Sequence, residues 1–450
     1  MLSSIRGVRL TTAVQQYPRL LTSLNTMKKY SSLADTVQSE SGTYPQLLIT
    51  KKNVAEIKSE PAAVPTASDL KPGEVLCKVD QVALTSNNVT YAVTGAPNLF
   101  NYWGFFPSGQ DDKYGMVPVW GYADVTASSN PDVAVGERLY GFYPLAGHCV
   151  LQADRITAKG FRDAAPHRQK LNAIYNQYVR SHVPTADSPV SPKKHSSTEH
   201  LNSIMRPMFT TSFLLDDFLW QCSEDAPEDT SKVNVSDAIK SARVDSQNKE
   251  NNATSVGVID TYIISSASSK TGYGTAFLMH SNRESRKGAY KIIGLTSQPN
   301  VQFVESLGIY DQVLTYDQVD QLPSKETTAI YADFSGNAKL RAKIHNYYQD
   351  NLKKDVVIGV TDFTNQGSAK GLPGARAEAF FAPSAALKRQ QEWGVEGLTN
   401  KIEDNLAQFV EFSKPHVDVT VVKGEENIRK LWTDMVEWKV SPQQGFIAQF

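Results

Sequence analysis

The sequence predicts a mixed α/β protein in which a β-rich domain precedes a doubly wound parallel sheet. Two observations support this. In the second half of the chain, buried strand patterns alternate with helical ones, as in a parallel sheet covered by helices on both faces. In the first half, short apolar runs are separated by Gly and Pro, which is typical of a compact β-barrel. A chain of 450 residues has room for about two or three such domains.

The β-rich region reads as a series of short strands. Residues 45–60 and 73–83 are each expected to form one strand, and the Pro-rich stretch between them is expected to turn. Residues 116–128 and 135–151 supply further strands separated by glycines. Short strands joined by Gly and Pro turns predict a barrel-like domain.

Two segments of different character follow the barrel-like region. Residues 163–217 carry apolar side chains at helical spacing and predict a helical connection, interrupted at 184–200 by Pro, Ser and Lys. Residues 223–255 are rich in Asp, Glu, Ser, Asn and Lys, which predicts a disordered surface insert.

The dinucleotide-type half begins with a strand, a small-residue turn and a helix. Residues 256–264 are apolar and largely β-branched, and residues 265–274 are small and hydroxylated. Such a turn lets a pyrophosphate approach the N–H groups at the start of the next helix. Later strands are expected at 290–295, 330–334 and 356–360, a helix at 387–412, and short strands at 417–422 and 445–450 that return to the first domain.

These patterns divide the chain into six parts. The expected boundaries are 1–34 for an N-terminal presequence, 45–162 for the β-rich domain, 163–222 for the helical connection, 223–255 for the disordered insert, 256–415 for the dinucleotide-binding domain, and 416–450 for the return to the first domain.

The turn after the first strand is an incomplete phosphate-binding signature. It lacks a clean G-x-G-x-x-G, and the absence of G-x-x-x-x-G-K-[ST] excludes an ATPase loop. The alternative is a doubly wound domain whose turn binds nothing. Lys270 is unusual there and either contacts a phosphate or marks a turn that has lost the nucleotide. The residues expected to face the pyrophosphate are Ser266, Ala267, Ser268, Ser269, Lys270, Thr271 and Gly272.

The residues after the second strand predict the kind of nucleotide. Thr296 and Ser297 stand where an Asp or Glu would bind the ribose of NAD. Hydroxyl groups in place of a carboxylate favour NADP, although no arginine for its extra phosphate is evident.

Bulk composition excludes several classes of partner. The net charge of −1 gives no overall attraction to nucleic acid or to an anionic membrane. No run of about 18 apolar residues is present, so no membrane span is expected. The three cysteines lie far apart without a ligand pattern, so we expect neither a structural zinc site nor a disulfide framework.

The N-terminal segment 1–34 contains no Asp or Glu but several Arg, Lys, Ser and Thr residues. A basic, acid-free, amphipathic start is a mitochondrial presequence signature, with processing expected near Tyr30 or Ser31. The alternative is a disordered basic tail. The sequence therefore predicts a protein of the mitochondrial matrix.

The layout resembles the medium-chain dehydrogenase/reductase superfamily, which joins a GroES-like β-rich domain to a Rossmann-type domain. The segments VPVWGYADV, VAVGERLYGFYP and VQFVESLGIYDQVLTY carry this resemblance. ALTSNNVTYAV, RPMFTTSFLLDDFL and SSASSKTGYGTAFL resemble the domain-of-unknown-function family 2855 more closely, over roughly residues 45–450. The zinc-binding lobe of the superfamily is missing, so the resemblance implies the zinc-free quinone and enoyl reductase branch.

This resemblance implies a catalytic group in the loop after the second predicted strand. Tyr91, with Asn87 and Asn88, stands where that branch places its polar active-site residues. The alternative is that an asparagine caps a helix and that Tyr91 is part of the core. The aromatic residues at 102–106 line a flat apolar pocket or pack between domains.

The resulting hypothesis is an NADP-dependent, zinc-free reductase of a quinone-like or conjugated carbonyl substrate. The expected partner is a small molecule, and a homodimer is compatible with the layout. The competing hypothesis is a pseudo-reductase that keeps the fold as a binding or assembly subunit.

Overall fold

The computed structural model describes residues 42–223, 255–358 and 371–450. The expected presequence at 1–34 lies outside these residues, as does nearly all of the expected insert at 223–255. In the described part of the chain, one sheet is closed by additional strand pairing and another is entirely parallel. The predicted fold class, a GroES-like β-rich domain with a Rossmann-type domain, is confirmed.

A closed barrel forms the first domain. In the residues described, six strands pair in the order β3-β5-β6-β9-β8-β7, and β7 pairs again with β3 to close the ring. A smaller sheet, β2-β1-β4, contacts the ring through backbone hydrogen bonds between β1 and residues 145–147. The bounds are β1 Thr43–Thr50, β2 Ile57–Ala63, β3 Glu74–Leu84, α1 Ser86–Val93, β4 Tyr114–Gly115, β5 Pro118–Ser128, β6 Arg138–Pro144, β7 His148–Thr157, β8 Gly160–Asp163, β9 Gln177–His182 and α2 Ser197–Gln221.

Two expectations for this half are wrong. Residues 45–60 do not form one strand, because a polar turn at 51–56 divides them into the antiparallel hairpin β1–β2. Residues 163–196 are not helical. They form two short 3-10 turns and β9, which pairs with β6 and β8. The barrel supplies pairing partners on both sides of β9, and this tertiary pairing overrides the local helical spacing.

The second domain is a parallel sheet in the order β12-β11-β10-β13-β14-β15. Strands β11 and β12 follow β10 in the chain and lie on one side of it, and the chain then crosses to β13 on the other side. The crevice outside the carboxyl ends of β10 and β13 is therefore the topological switch point, where such sheets bind ligands. The bounds are β10 Thr261–Ile264, α3 Lys270–Asn282, β11 Lys291–Thr296, α4 Val301–Ser306, β12 Gln312–Thr315, β13 Ala329–Asp333, α5 Ala338–Tyr348, β14 Leu352–Val357 and β15 Ala377–Ala379.

The C-terminal segment returns to the barrel, as the sequence predicts. Strand β17 pairs antiparallel with the end of β3, placing Ile447 opposite Ala83, and β16 pairs parallel with β17. The bounds are α6 Ala382–Ser413, β16 Asp418–Lys423, α7 Glu425–Val436 and β17 Gln444–Gln449. None of the helices in the described ranges combines the length and hydrophobicity needed to span a bilayer.

Helix α2 packs against both domains. Its Ser196 N-cap accepts a hydrogen bond from the amide of Glu199 at 3.2 Å. Its buried face includes Ile204, Met208 and Leu215, which belong to the same core as β10 and α3. The helix therefore lies against both the barrel and the parallel sheet.

Candidate functional site

Helix α1 begins with a capping box that uses one of the predicted polar residues. The backbone N–H of Thr85 donates to Oδ1 of Asn88 at 2.8 Å, and Nδ2 of Asn88 donates to the carbonyl of Pro118 at 3.1 Å. Asn88 is 2% exposed. The oxygen and the nitrogen of its side-chain amide are both bonded within the fold. This matches the alternative in which an asparagine caps the helix.

Tyr91 is the meeting point of two hydrogen-bond donors. Nδ2 of Asn87 donates to the Tyr91 hydroxyl at 2.7 Å, and Nε1 of Trp120 donates to it at 3.3 Å. No residue in the described ranges accepts the proton of this hydroxyl. Burial raises the pKa of Tyr91 far above its ordinary value, so the phenol is neutral and carries that proton at physiological pH. Tyr91 is therefore arranged as a hydrogen-bond donor with its own oxygen already stabilised.

The aromatic residues at 102–106 pack around Tyr91. The ring of Tyr102 lies 4.2 Å from that of Tyr91, and Phe142 meets Tyr91 edge-on at 5.7 Å. The Tyr102 hydroxyl lies 3.0 Å from that of Tyr175. The residues expected either to line a pocket or to pack between domains are all buried: Tyr102, Trp103, Phe105 and Phe106. Three of them pack in a core within the β-rich domain: Tyr102, Phe105 and Phe106.

A narrow pocket lies beside this group. Asn87 and Trp120 line one side, and Ile204, Pro207 and Met208 of α2 line the other. Its volume is about 10 Å³, which is the space of roughly one water molecule. The pocket is therefore too small in this structure to hold an organic molecule.

Helix α2 also contacts the phosphate-type turn. The Ser212 hydroxyl donates to the carbonyl of Thr271 at 2.8 Å. A Cβ atom on Gly274 would lie 2.6 Å from Ser212 Oγ, so the close approach of α2 and α3 requires glycine here. Ser212 lies one helical turn beyond Met208, about 6 Å along the axis. The pocket beside Tyr91 and the turn at 265–271 are thus placed side by side along α2.

The turn itself has the shape of a phosphate cradle. Ser266 adopts a left-handed conformation with φ of 48°, and the amide of Ala267 donates to the carbonyl of Leu295 at 3.0 Å. The hydroxyl of Ser269 caps α3 by accepting from the amide of Gly272 at 3.1 Å. The amides of Lys270 and Thr271, first in the helix, have no partner within the described ranges. Two free amides at a helix start fit an anionic oxygen.

The residues after β11 form a neutral polar cluster. Nδ2 of Asn300 donates to Oγ of Ser268 at 3.2 Å and to Oγ of Ser297 at 3.1 Å. The hydroxyl of Thr296 lies 3.5 Å from Oγ of Ser268. Asn300 escaped sequence reasoning, although its place three residues after Ser297 in a 3-10 turn was a usable signal. The cluster offers hydroxyl and amide groups and no carboxylate.

Lys270 points away from the cradle. Its ammonium group donates to the carbonyls of Pro442 at 2.8 Å and Gln444 at 3.0 Å, at the start of β17. Burial lowers the pKa of Lys270 to about 8. A contact between Lys270 and a phosphate would require both hydrogen bonds to break, so that role stays a prediction.

A buried acid supports the turn from inside the sheet. Oδ1 of Asp333, at the end of β13, accepts from the Ser265 hydroxyl at 2.9 Å and from the amide of Gly336 at 3.0 Å. Oδ2 accepts from Arg341 at 2.5 Å, and Arg341 in turn lies 3.1 Å from Asp355. Asp333 fixes the chain on both sides of the switch point. It was not recognised from the sequence, because its contact with Ser265 joins residues 68 positions apart.

The cysteines lie in two places. Cys77 and Cys149 face each other across β3 and β7, and Cys222 follows α2. All three are buried and free. In the ranges described, no group of three or more His, Cys, Asp and Glu side chains could hold a metal ion.

The comparisons with known proteins agree with this architecture. An enoyl thioester reductase from Candida tropicalis, in a mutant form, matches with 13% identity and a TM-score of 0.52, over 91% of this chain and all of that one. The complex of Etr1p with NADP and crotonyl-CoA matches with the same identity, coverage and TM-score. At this identity the likeness concerns the fold alone. No curated protein matches the sequence.

The sequence also matches a protein family over most of its length. The family's description is "Protein of unknown function (DUF2855)", and the match covers residues 82–441. The chain therefore belongs to this family, and it shares its fold with the enoyl thioester reductase named above.

Proposed function

We propose that this protein is an NADP-dependent, zinc-free reductase of a small conjugated carbonyl compound. The observation that carries the proposal is the Tyr91 hydroxyl, which receives hydrogen bonds from Asn87 and Trp120 and keeps its own proton for a further acceptor. A carbonyl oxygen that gains negative charge during reduction is such an acceptor.

Reduced nicotinamide would supply the hydride. Tyr91 would donate a hydrogen bond to the carbonyl oxygen of the substrate, or transfer its proton to it. Either event shifts negative charge onto the Tyr91 oxygen, and the two N–H groups from Asn87 and Trp120 stabilise that charge. Because the three groups are fixed by the barrel, they need little rearrangement at the moment of reaction.

The cradle at 265–271 fits the pyrophosphate of a dinucleotide. Its free amides at Lys270 and Thr271 open the N-terminus of α3, where the helix dipole favours negative charge. The neutral cluster of Thr296, Ser297 and Asn300 supports NADP, because no carboxylate there repels a 2′-phosphate. The presence of NADP and crotonyl-CoA in the similar Etr1p complex adds support.

The finer assignment is a quinone-like or enone substrate. Trp120 and the apolar residues of α2 would hold a flat ring or an enone once the pocket opens. The test is a panel of quinones and enones with NADPH as donor, followed by its absorbance, together with a binding titration of NADPH and NADH. We expect turnover with at least one class and tighter binding of NADPH. The proposal would be refuted if no compound in the panel oxidised NADPH and the titration detected no NADPH binding.

The competing function is a binding or assembly subunit without catalysis. Two features favour it: the pocket beside Tyr91 is closed, and Lys270 ties the cradle to β17. The titration separates the hypotheses, because a subunit that has lost its nucleotide site leaves NADPH fluorescence unchanged at any protein concentration.

We also propose that residues 1–34 direct the protein to the mitochondrial matrix and are removed near Tyr30 or Ser31. The absence of Asp and Glu among these residues and their several Arg and Lys residues support this. N-terminal sequencing of the protein from isolated mitochondria is the test. An intact Met1 on protein confined to the cytosol would contradict it. A homodimer is a further proposal, which light scattering of the purified chain decides.

A further inference from the structure

Two cysteines meet at the seam that closes the barrel. Strands β3 and β7 pair antiparallel, and their register places Cys77 directly opposite Cys149. Cys77 is wholly buried and Cys149 is 9% exposed, so both side chains lie on the inner face of the barrel. The third cysteine, Cys222, is remote from them in the fold and donates its thiol to the carbonyl of Phe218 at 3.2 Å.

The backbone geometry suits a bond between the two sulfur atoms. The amide of Val79 donates to the carbonyl of Gly147 at 2.9 Å, which makes that opposed pair a hydrogen-bonded one. Pair types alternate along an antiparallel ladder, so Cys77 and Cys149, two positions further, form a hydrogen-bonded pair with Cα atoms about 5.5 Å apart. Disulfides usually join Cα atoms about 4.4–6.8 Å apart. The strands therefore hold the two residues within disulfide range.

The surroundings give the two thiols different roles. A hydrogen bond with Cys149, together with burial, raises the pKa of Cys77, so this residue remains a thiol. Cys149 is the more accessible of the pair.

We propose that Cys77 and Cys149 form a reversible, peroxide-driven disulfide that fastens the barrel at its closing seam. The sulfur of Cys149 attacks a peroxide oxygen, the O–O bond breaks, and Cys149 becomes a sulfenic acid while one water is released. The sulfur of Cys77 then attacks the sulfenic sulfur, the S–O bond breaks, and the hydroxyl leaves with the Cys77 proton as a second water. The two thiols are oxidised by two electrons and the peroxide is reduced to two molecules of water.

The bond would restrain the strand that leads to the candidate site. Strand β3 runs from Cys77 to Ala83, which lines the pocket beside Tyr91. A cross-link between strands that are distant in sequence restricts the unfolded chain and raises stability. Peroxide would then convert the barrel to a more rigid form, and a dithiol reductant would restore the flexible one.

The experiment uses the full, reduced chain treated with a small excess of hydrogen peroxide. After quenching and blocking of free thiols in denaturant, we expect two of the three cysteines to resist the blocking reagent. Intact mass should fall by two hydrogen atoms, and peptide mapping should identify a Cys77–Cys149 link. The melting temperature of the oxidised protein should rise by about 3–8 °C. Dithiothreitol should reverse both changes.

Two variants test the order of attack. Cys77→Ser should leave a sulfenic acid on Cys149 that dimedone traps, whereas Cys149→Ser should trap nothing at Cys77. Cys222→Ser is the matched control and should form the link like the unaltered protein. Three unmodified thiols after peroxide, a link that includes Cys222, or a link only between chains would each overturn the proposal. The peptide map of the unaltered protein decides the matter even if a variant fails to fold.

Discussion

The group around Tyr91 and the turn at 265–271 differ in how their hydrogen-bonding groups are used. On the barrel side, Asn87 and Trp120 both donate to Tyr91, and Asn88 is committed to the helix cap. On the parallel-sheet side, the amides of Lys270 and Thr271 are unpartnered, while the ammonium of Lys270 is held by β17. The polar groups around Tyr91 are therefore already fixed by hydrogen bonds within the protein, whereas the two amides at the start of α3 have no partner among the described residues.

The largest expected effect comes from removing the Tyr91 hydroxyl. Tyr91→Phe should lower kcat about 10²–10³-fold, because an organised donor to the developing oxyanion is lost. NADPH affinity should stay unchanged. Tyr102→Phe is the control, since among the described residues the Tyr102 hydroxyl hydrogen-bonds only with that of Tyr175. Steady-state kinetics with the best substrate of the panel provides the measurement. Equal losses in both variants would show that the barrel wall has no special donor.

The second effect concerns Lys270, at the start of α3. Lys270→Met leaves the carbonyls of Pro442 and Gln444 without their buried donor, which should lower the free energy of unfolding by about 1–3 kcal/mol. NADPH affinity should change less than about threefold, because the cradle amides that bind phosphate remain in place. Urea unfolding and a fluorescence titration measure the two quantities. Lys291→Met, at an exposed position on β11, is the control. A tenfold loss of affinity with unchanged stability would instead assign Lys270 to a phosphate.

The third effect separates two adjacent asparagines. Asn88→Ala should lower the free energy of unfolding by about 1 kcal/mol, because it removes the cap of α1. Asn87→Ala should leave stability nearly unchanged and lower kcat about 5–10-fold, because one of the two donors to Tyr91 is lost. Each variant serves as the control of the other. The reverse pattern would move the catalytic assignment from Asn87 to Asn88.

The smallest effect concerns pH and the support beneath the cradle. The Nδ1 atom of His345 lies 2.7 Å from the carbonyl of Pro373, and Nε2 lies 3.0 Å from Asp355. Burial lowers the pKa of His345, but the hydrogen bonds to Asp355 and Pro373 outweigh it, and the net pKa is raised. The folded state therefore binds this proton more tightly than the unfolded state, whose pKa is about 6.5. The stabilisation is complete below that pH and is lost as the pH rises through the folded-state pKa.

Urea unfolding of the unaltered protein and of His345→Gln, at pH values from below about 6.5 upwards, measures how much the His345 proton stabilises the fold. We expect the difference between them to be largest at low pH and to shrink as pH rises. A difference that does not depend on pH would mean that His345 contributes through packing alone.

Local pattern predicted the elements whose neighbours in space are also neighbours in sequence. Strand β10, its turn and α3 follow one another directly, as the sequence predicts. The same reasoning failed where the partner is remote. Lys270 lies 172 residues from Pro442, so nothing near it indicates that its ammonium is already bound.

The barrel side shows the same division. The sequence predicts that the segment containing Asn87, Asn88 and Tyr91 is important. It does not predict that the two asparagines have different roles, because those roles depend on the remote carbonyl of Pro118 and indole of Trp120. Strand β9 was mistaken for helix because its apolar spacing is ambiguous and its pairing with β6 and β8 is invisible locally.

The return of β17 has a consequence for the order in which the molecule is completed. The six strands of the ring all precede the parallel-sheet domain in the chain, so the ring can close early in synthesis. The edge of β3 at Val82–Leu84, which leads into α1, stays unpaired until β17 is available. The helix that carries Tyr91 thus gains its last neighbouring strand only after the parallel sheet has left the ribosome. In pulsed hydrogen exchange on ribosome-bound nascent chains of increasing length, protection at Val82–Leu84 should appear only after β17 has emerged, later than protection in β5 and β6.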